Sequence, residues 1–174
     1  MISDVEHNQV FKCFLSKNNM KKKRLFNVSV SELISGLFYP RSFNPYEIKS
    51  GSMIQYKLGF MNYEKFSKYV DMGDSYVKIS GVPDRISYED GKLYVDELKT
   101  TFSGRENYIR KVGTAQLQLY MMITGIDEGR LFIYYKDRNK LVHDSTVRYD
   151  ENFARDIIRR YLKLRELKEE SRKI

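Results

Sequence analysis

The pair Asp90-Gly91 constrains this chain more than any other feature of its sequence. It separates two runs of alternating character, SGVPDRISY and LYVDELKTT, and suits the positive φ angles of a type I′ turn. A two-residue loop sets Glu89 opposite Lys92, and counting outward fixes every other partner. One face then pairs Tyr88 with Leu93, Ile86 with Val95 and Asp84 with Glu97. The other pairs Glu89 with Lys92, Ser87 with Tyr94 and Arg85 with Asp96, and reads as a solvated face with two complementary ion pairs.

The first face ends in two opposed carboxylates with β-carbons about 5 Å apart, a like-charge arrangement that weakens a sheet unless something compensates it. A divalent cation between them is the economical compensation, because hard oxygen ligands with open positions suit Mg²⁺ or Mn²⁺. Lys99 lies two residues beyond Glu97, so an extended strand projects it from the same side. A divalent cation held by an acidic pair beside an ammonium group has the parts needed for phosphodiester hydrolysis. The plainer alternative leaves Asp84 at a solvent-exposed strand end and pairs Glu97 with Lys99 or another surface cation.

The rest of the 174-residue chain reads as one domain, 1–174, with a core over about 28–149 between helical terminal segments. A short helix is predicted over Asp4 to Leu15, followed by a basic break from Lys17 to Arg24. Ser31 reads as the N-cap of a helix that reaches Leu37 before Pro40. Apolar residues at three- and four-residue steps predict one long or broken helix between Pro45 and Met72. After the hairpin, a helix is predicted from Asn107 to Thr124, ended by Gly125. Strands at Arg130–Lys136 and Lys140–Tyr149 and a charged amphipathic helix from Glu151 complete the chain. The fold class is therefore α/β or α+β, a central mixed β-sheet flanked by helices.

Thirty-one basic against 23 acidic residues give a net charge of +8, which favours a polyanionic partner such as nucleic acid. The one cysteine, Cys13, excludes an internal disulfide framework and any iron–sulfur cluster held by this chain alone. The longest uncharged stretch, Val112 to Ile126, is too short to span a membrane, so the chain is read as cytoplasmic and without a membrane partner. His7 and His143 are the only histidines, and both lie outside the motifs.

At Gly81-Val82-Pro83-Asp84, Glu97-Leu98-Lys99 and the pair Gln116 and Tyr120, the chain resembles the PD-(D/E)XK nuclease superfamily. Within it, the RecB-like branch that includes the CRISPR-associated exonucleases is the most similar, over roughly Val28 to Lys136. The resemblance implies a restriction-endonuclease-like core in which Asp84, Glu97 and the Leu98 carbonyl bind the metal. Lys99 would position the water, and Gln116 and Tyr120 would face the site. Tyr39-Pro40-Arg41 is similar to the family's Cys-Pro-Arg segment, with Tyr39 at the cysteine position. The family's Gly-x-x-x-His pattern is matched by Gly51 to Gln55, which sets Gln55 where the relatives carry a histidine ligand. Glu47 and Glu64 are nearby acids able to substitute.

The expectation is a Mg²⁺- or Mn²⁺-dependent nuclease, exonucleolytic or endonucleolytic, with DNA as partner and Arg41, Arg105, Arg110 and Lys111 as contacts to the phosphate backbone. A homo-oligomer or a recombination or repair protein would be a further partner, and a viral or archaeal source fits the compact form. The alternative is a nucleic-acid-binding scaffold that keeps the fold with weakened or lost catalysis.

Overall fold

A computed structural model describes residues 23–39 and 45–172, with side chains from 51 in the second stretch. His7, Cys13, Arg41 and the predicted helix over 4–15 lie outside the described residues, as does the side chain of Glu47.

The described chain runs β1 (Arg24–Ser29), α1 (Val30–Phe38), α2 (Pro45–Lys57), β2 (Phe66–Asp71), β3 (Ser75–Gly81), β4 (Arg85–Glu89), β5 (Lys92–Thr101), α3 (Glu106–Thr124), β6 (Glu128–Tyr135), β7 (Lys140–Arg148) and α4 (Glu151–Ser171). This is the expected mixed α/β class. Its strands divide into a three-stranded sheet, β1-β3-β2, and a four-stranded sheet, β4-β5-β6-β7, each with parallel and antiparallel neighbours.

The hairpin forms in the register that the turn dictates, from Glu89 against Lys92 to Arg85 against Asp96. Asp90 and Gly91 both have positive φ, 50° and 79°, as a type I′ turn requires. Its second face is not the solvated one expected. Asp96 is wholly buried and accepts from Arg85 Nε at 2.8 Å and from Arg130 Nε at 2.8 Å. Arg130 belongs to β6, which pairs parallel to β5, a neighbour that no count along the hairpin reveals. It also takes Glu89, while Lys92 pairs with Glu128 at 2.9 Å.

Two other expectations are corrected. Arg24, read as the end of the basic break, instead begins the strand Arg24–Ser29 parallel to β3, and Ser29 rather than Ser31 caps α1. Ser29 keeps extended dihedrals at the strand's end, and its Oγ accepts the Glu32 N–H at 3.0 Å. Phe66–Asp71 is also a strand, not helix, because pairing with β3 overrides a weak three-and-four spacing. Before it, Gly59 at φ 72° follows the end of α2.

α3 organises the core. It packs against β5 and β6 on one side and against α1, α4, β2 and β3 on others, so Val112, Leu117, Leu119 and Met122 are all buried around its circumference. Gly125, left-handed at φ 74°, ends it as expected, its N–H donating to the Met121 carbonyl. Gly113 lets α3 sit against β6, because a Cβ there would stand 2.5 Å from Leu131 Cδ1. Alanine at this position gains about 1 kcal/mol of helix propensity. Overpacking a filled core costs about 1–3 kcal/mol. Gly113→Ala is therefore expected to lower the melting temperature by a few degrees, and a rise would show that α3 is not seated this closely.

Candidate active site

Three pieces of chain converge on one point: the crossover Val82–Asp84 between the sheets, the middle of β5, and α3. Alternation along β5 turns Glu97 and Lys99 to the side on which Val95 enters the core. Gly81 ends β3 without a side chain where a Cβ would stand 2.8 Å from Tyr120 Cε1 and 3.1 Å from Val30 Cγ2. That close approach brings α3 onto the crossover.

Asp84 does not form the rung expected opposite Glu97, because pairing of β4 with β5 ends at Arg85 against Asp96. Its carboxylate instead folds over β5, where Oδ2 accepts the Leu98 N–H at 2.8 Å. It still faces Glu97, whose carboxyl the Asp84 charge helps to raise. Lys99 Nζ donates to Glu97 Oε1 at 2.5 Å and to Gln116 Oε1 at 2.7 Å. Gln116 Nε2 in turn lies 3.5 Å from the Tyr120 hydroxyl, and the Gln55 side chain donates to Asp84. The structure thus brings together Asp84, Glu97, Lys99, Gln116, Tyr120 and Gln55. Glu64 is exposed in the connection to β2, and His143 is exposed on β7 with its ring nitrogen on Thr146.

Burial governs the electrostatics. Glu97 is fully buried, and desolvation followed by the Asp84 charge pushes its carboxyl up to about 8. Desolvation also raises Asp84, with Lys99 opposing it. Lys99 loses hydration as well, but Glu97 and Asp84 hold its ammonium charged. Tyr120 is raised by burial and then by Glu97 and Asp84, so its phenol stays neutral.

Glu97 Oε2 is buried without a hydrogen-bond donor from the protein. An acceptor in that position is costly. A bound cation, a water or a proton shared with Asp84 would satisfy it. The donor set fits a hard divalent cation: the Asp84 and Glu97 carboxylates, the Leu98 carbonyl, and the Gln55 amide oxygen as a neutral addition. Among the described residues, no group of three or more His, Cys, Asp and Glu side chains gathers, so such a site rests on two acids and neutral oxygens.

A cleft of about 410 Å³ opens beside Lys99 and Gln55. Of the residues expected to contact a phosphate backbone, Arg105 lines it, whereas Arg110 is held by Asp144 at 2.7 Å and Lys111 is exposed on α3. Sequence reasoning missed Phe102, Tyr108 and Lys136, which also line the cleft. Phe102 and Tyr108 are close enough in sequence to Arg105 that two rings flanking a cation offered a signal. Lys136 offered none, since only the parallel register of β5 with β6 brings it to Thr101.

The overall fold is shared with the crystal structure of SSO0001, at 17% identity and a TM-score of 0.59 over 92% of this chain and 86% of that one. Identity at that level shows the fold alone. More remote likenesses are to a phage-related exonuclease from Haemophilus somnus 129PT, at 12% identity and a TM-score of 0.42 over 79% and 78% of the two chains. An alkaline exonuclease from Laribacter hongkongensis follows at 13% identity and a TM-score of 0.35 over 83% and 81%. No family model and no curated protein matches the chain. No helix among the described residues is long and apolar enough to cross a membrane.

Glu97 binds its proton more tightly in the native protein than in the unfolded chain, with about 8 against an ordinary 4.5. The stability it contributes is therefore complete below about 4.5 and is lost as pH rises through about 8. In chelator, thermal melting should show native stability declining across that window, and Glu97→Gln should remove the decline and raise the melting temperature at pH 9. An unchanged slope in Glu97→Gln would assign the decline to another group.

Proposed function

We propose that the chain is a metal-dependent nuclease hydrolysing DNA phosphodiesters, of the RecB-like kind, with Asp84, Glu97 and Lys99 at its centre. Glu97 carries the reading: a wholly buried carboxylate, one oxygen without a donor, beside a second acid and a lysine at the edge of an open cleft. A structural ion pair requires neither the second acid nor the cleft. Mg²⁺ or Mn²⁺ is the cation that such oxygen donors favour, and when bound it polarises a phosphodiester and lowers the pKa of a water.

The chain's own groups do the rest. Asp84, Glu97 and the Leu98 carbonyl hold the cation, and Gln55 adds a neutral oxygen. Lys99 has three N–H donors, of which Glu97 and Gln116 engage two. The third is available to hold the attacking water or to neutralise charge on a phosphate oxygen. Gln116 keeps that ammonium aimed, and neutral Tyr120 closes the inner side against bulk water. A net charge of +8 supports a polyanionic substrate.

One observation favours the alternative scaffold. Gln55 donates its amide to Asp84 and stands where the resemblance sets a histidine ligand, which weakens the hold on the cation. The two readings separate when linear and circular DNA, single- and double-stranded, are incubated with Mg²⁺, Mn²⁺ or chelator. The nuclease reading predicts metal-dependent cutting that falls at least about 10²-fold in Lys99→Ala. It also predicts that Gln55→His reaches half-maximal cutting at lower Mn²⁺. Salt-sensitive DNA binding with no cutting in any metal would make the scaffold the function.

A further inference from the structure

The nuclease reading assigns the carboxylates and Lys99 but leaves the cleft beside them without a role. Among the described residues its charged lining consists of Lys99, Arg105 and Lys136, all cationic. Two of its rings are open to solvent, Phe102 at 52% and Tyr108 at 43% exposure. Both are held in place. The Tyr108 hydroxyl donates to the Phe38 carbonyl, and its ring meets Tyr39 edge-on at 5.9 Å between centroids.

The loop that carries Phe102 is tied down from three sides. The Lys136 N–H donates to the Thr101 carbonyl at 2.9 Å, the Ser103 N–H to Asp137 Oδ1 at 3.2 Å, and the Gly104 N–H to Glu106 Oε1 at 3.0 Å. Lys136 Nζ then lies 5.8 Å from the centre of the Phe102 ring, so cation and ring form one unit. Fixed aromatic faces that remain wet, interleaved with cations, match the two halves of a nucleotide. A base stacks on a ring whatever its identity, and a phosphate meets the cations. The volume of about 410 Å³ falls in the range of small-ligand sites, which suits one nucleotide and not a turn of duplex.

We infer that this cleft is a nucleotide subsite: one base of a DNA strand stacks on Phe102 and Tyr108, and the adjoining backbone phosphates meet Arg105 and Lys136. The inference rests on the nuclease reading for its proximity to the scissile bond, but binding can be measured without cleavage. The probe is a fluorescent single-stranded oligonucleotide bound to the full chain in chelator, beside the same strand with abasic positions. Phe102→Ala should weaken the intact strand by about 5- to 150-fold. Wild type should lose a comparable factor on the abasic strand, and Phe102→Ala should cost nothing further there.

Lys136→Gln should reduce the slope of log affinity against log salt by about 0.7. Thermal melting confirms that each variant is folded, and the abasic arm needs no variant. Equal losses for Phe102→Ala on both strands, or wild-type affinity and salt slope in both variants, would overturn the subsite. If wild type cuts DNA while the variants bind unchanged, the subsite falls and the nuclease reading stands. If the binding pattern holds but no metal supports cutting, the nuclease reading falls and the subsite stands.

Discussion

The structure turns on one buried carboxylate. Glu97 is fully excluded from solvent on the side of β5 where Val95 joins the hydrophobic core. Burying an ionised carboxylate is strongly unfavourable, so its neighbours must hold charge or a proton for it. Lys99 supplies the charge from two residues along the same strand, and Gln116 on α3 orients that lysine. Asp84 reaches in from the crossover between the sheets, anchored on the Leu98 N–H. The missing side chain at Gly81 lets Tyr120 close over this point, and the missing side chain at Gly113 lets α3 settle against Leu131.

Adjacent residues of β5 illustrate two ways of burying a charge. Asp96 points to the opposite side, is equally buried, and receives three hydrogen bonds from two guanidinium groups, Arg85 and Arg130. Two of those bonds come from Arg130, whose Nη2 also donates to Ser87 Oγ. Aromatic rings flank the arginines, with Arg85 4.0 Å from the Phe60 centroid and Arg130 4.5 Å from that of Tyr94. Every acceptor there is satisfied, and the network is closed. Glu97 has one ammonium, a second acid and an oxygen without a donor, which leaves its network open toward the cleft.

Much of the site was legible because it is local. A two-residue turn sets the hairpin register, alternation sets Glu97 and Lys99 on one side, and helical spacing sets Gln116 above Tyr120. Legibility ended where long-range pairing began. Arg24–Ser29 and Phe66–Asp71 are strands only because β3 lies between them, and Arg130 and Lys136 reach β5 only through a parallel crossover. The same limit explains Asp96, read as solvated until β6 covered it, and Arg110, whose partner Asp144 comes from β7. The rung expected between Asp84 and Glu97 failed for a local reason, since the strand stops one residue short and frees the carboxylate to cap Leu98.

The proposed nuclease requires Asp84 and Glu97 to form a divalent-cation site built into the core. Calorimetric titration of the full chain with Mn²⁺, in the absence of DNA, tests it most directly. Saturable binding that disappears in Glu97→Gln, while that variant melts cooperatively, is the predicted result. Absence of Mn²⁺ binding to wild type, or binding that Glu97→Gln leaves intact, would contradict it.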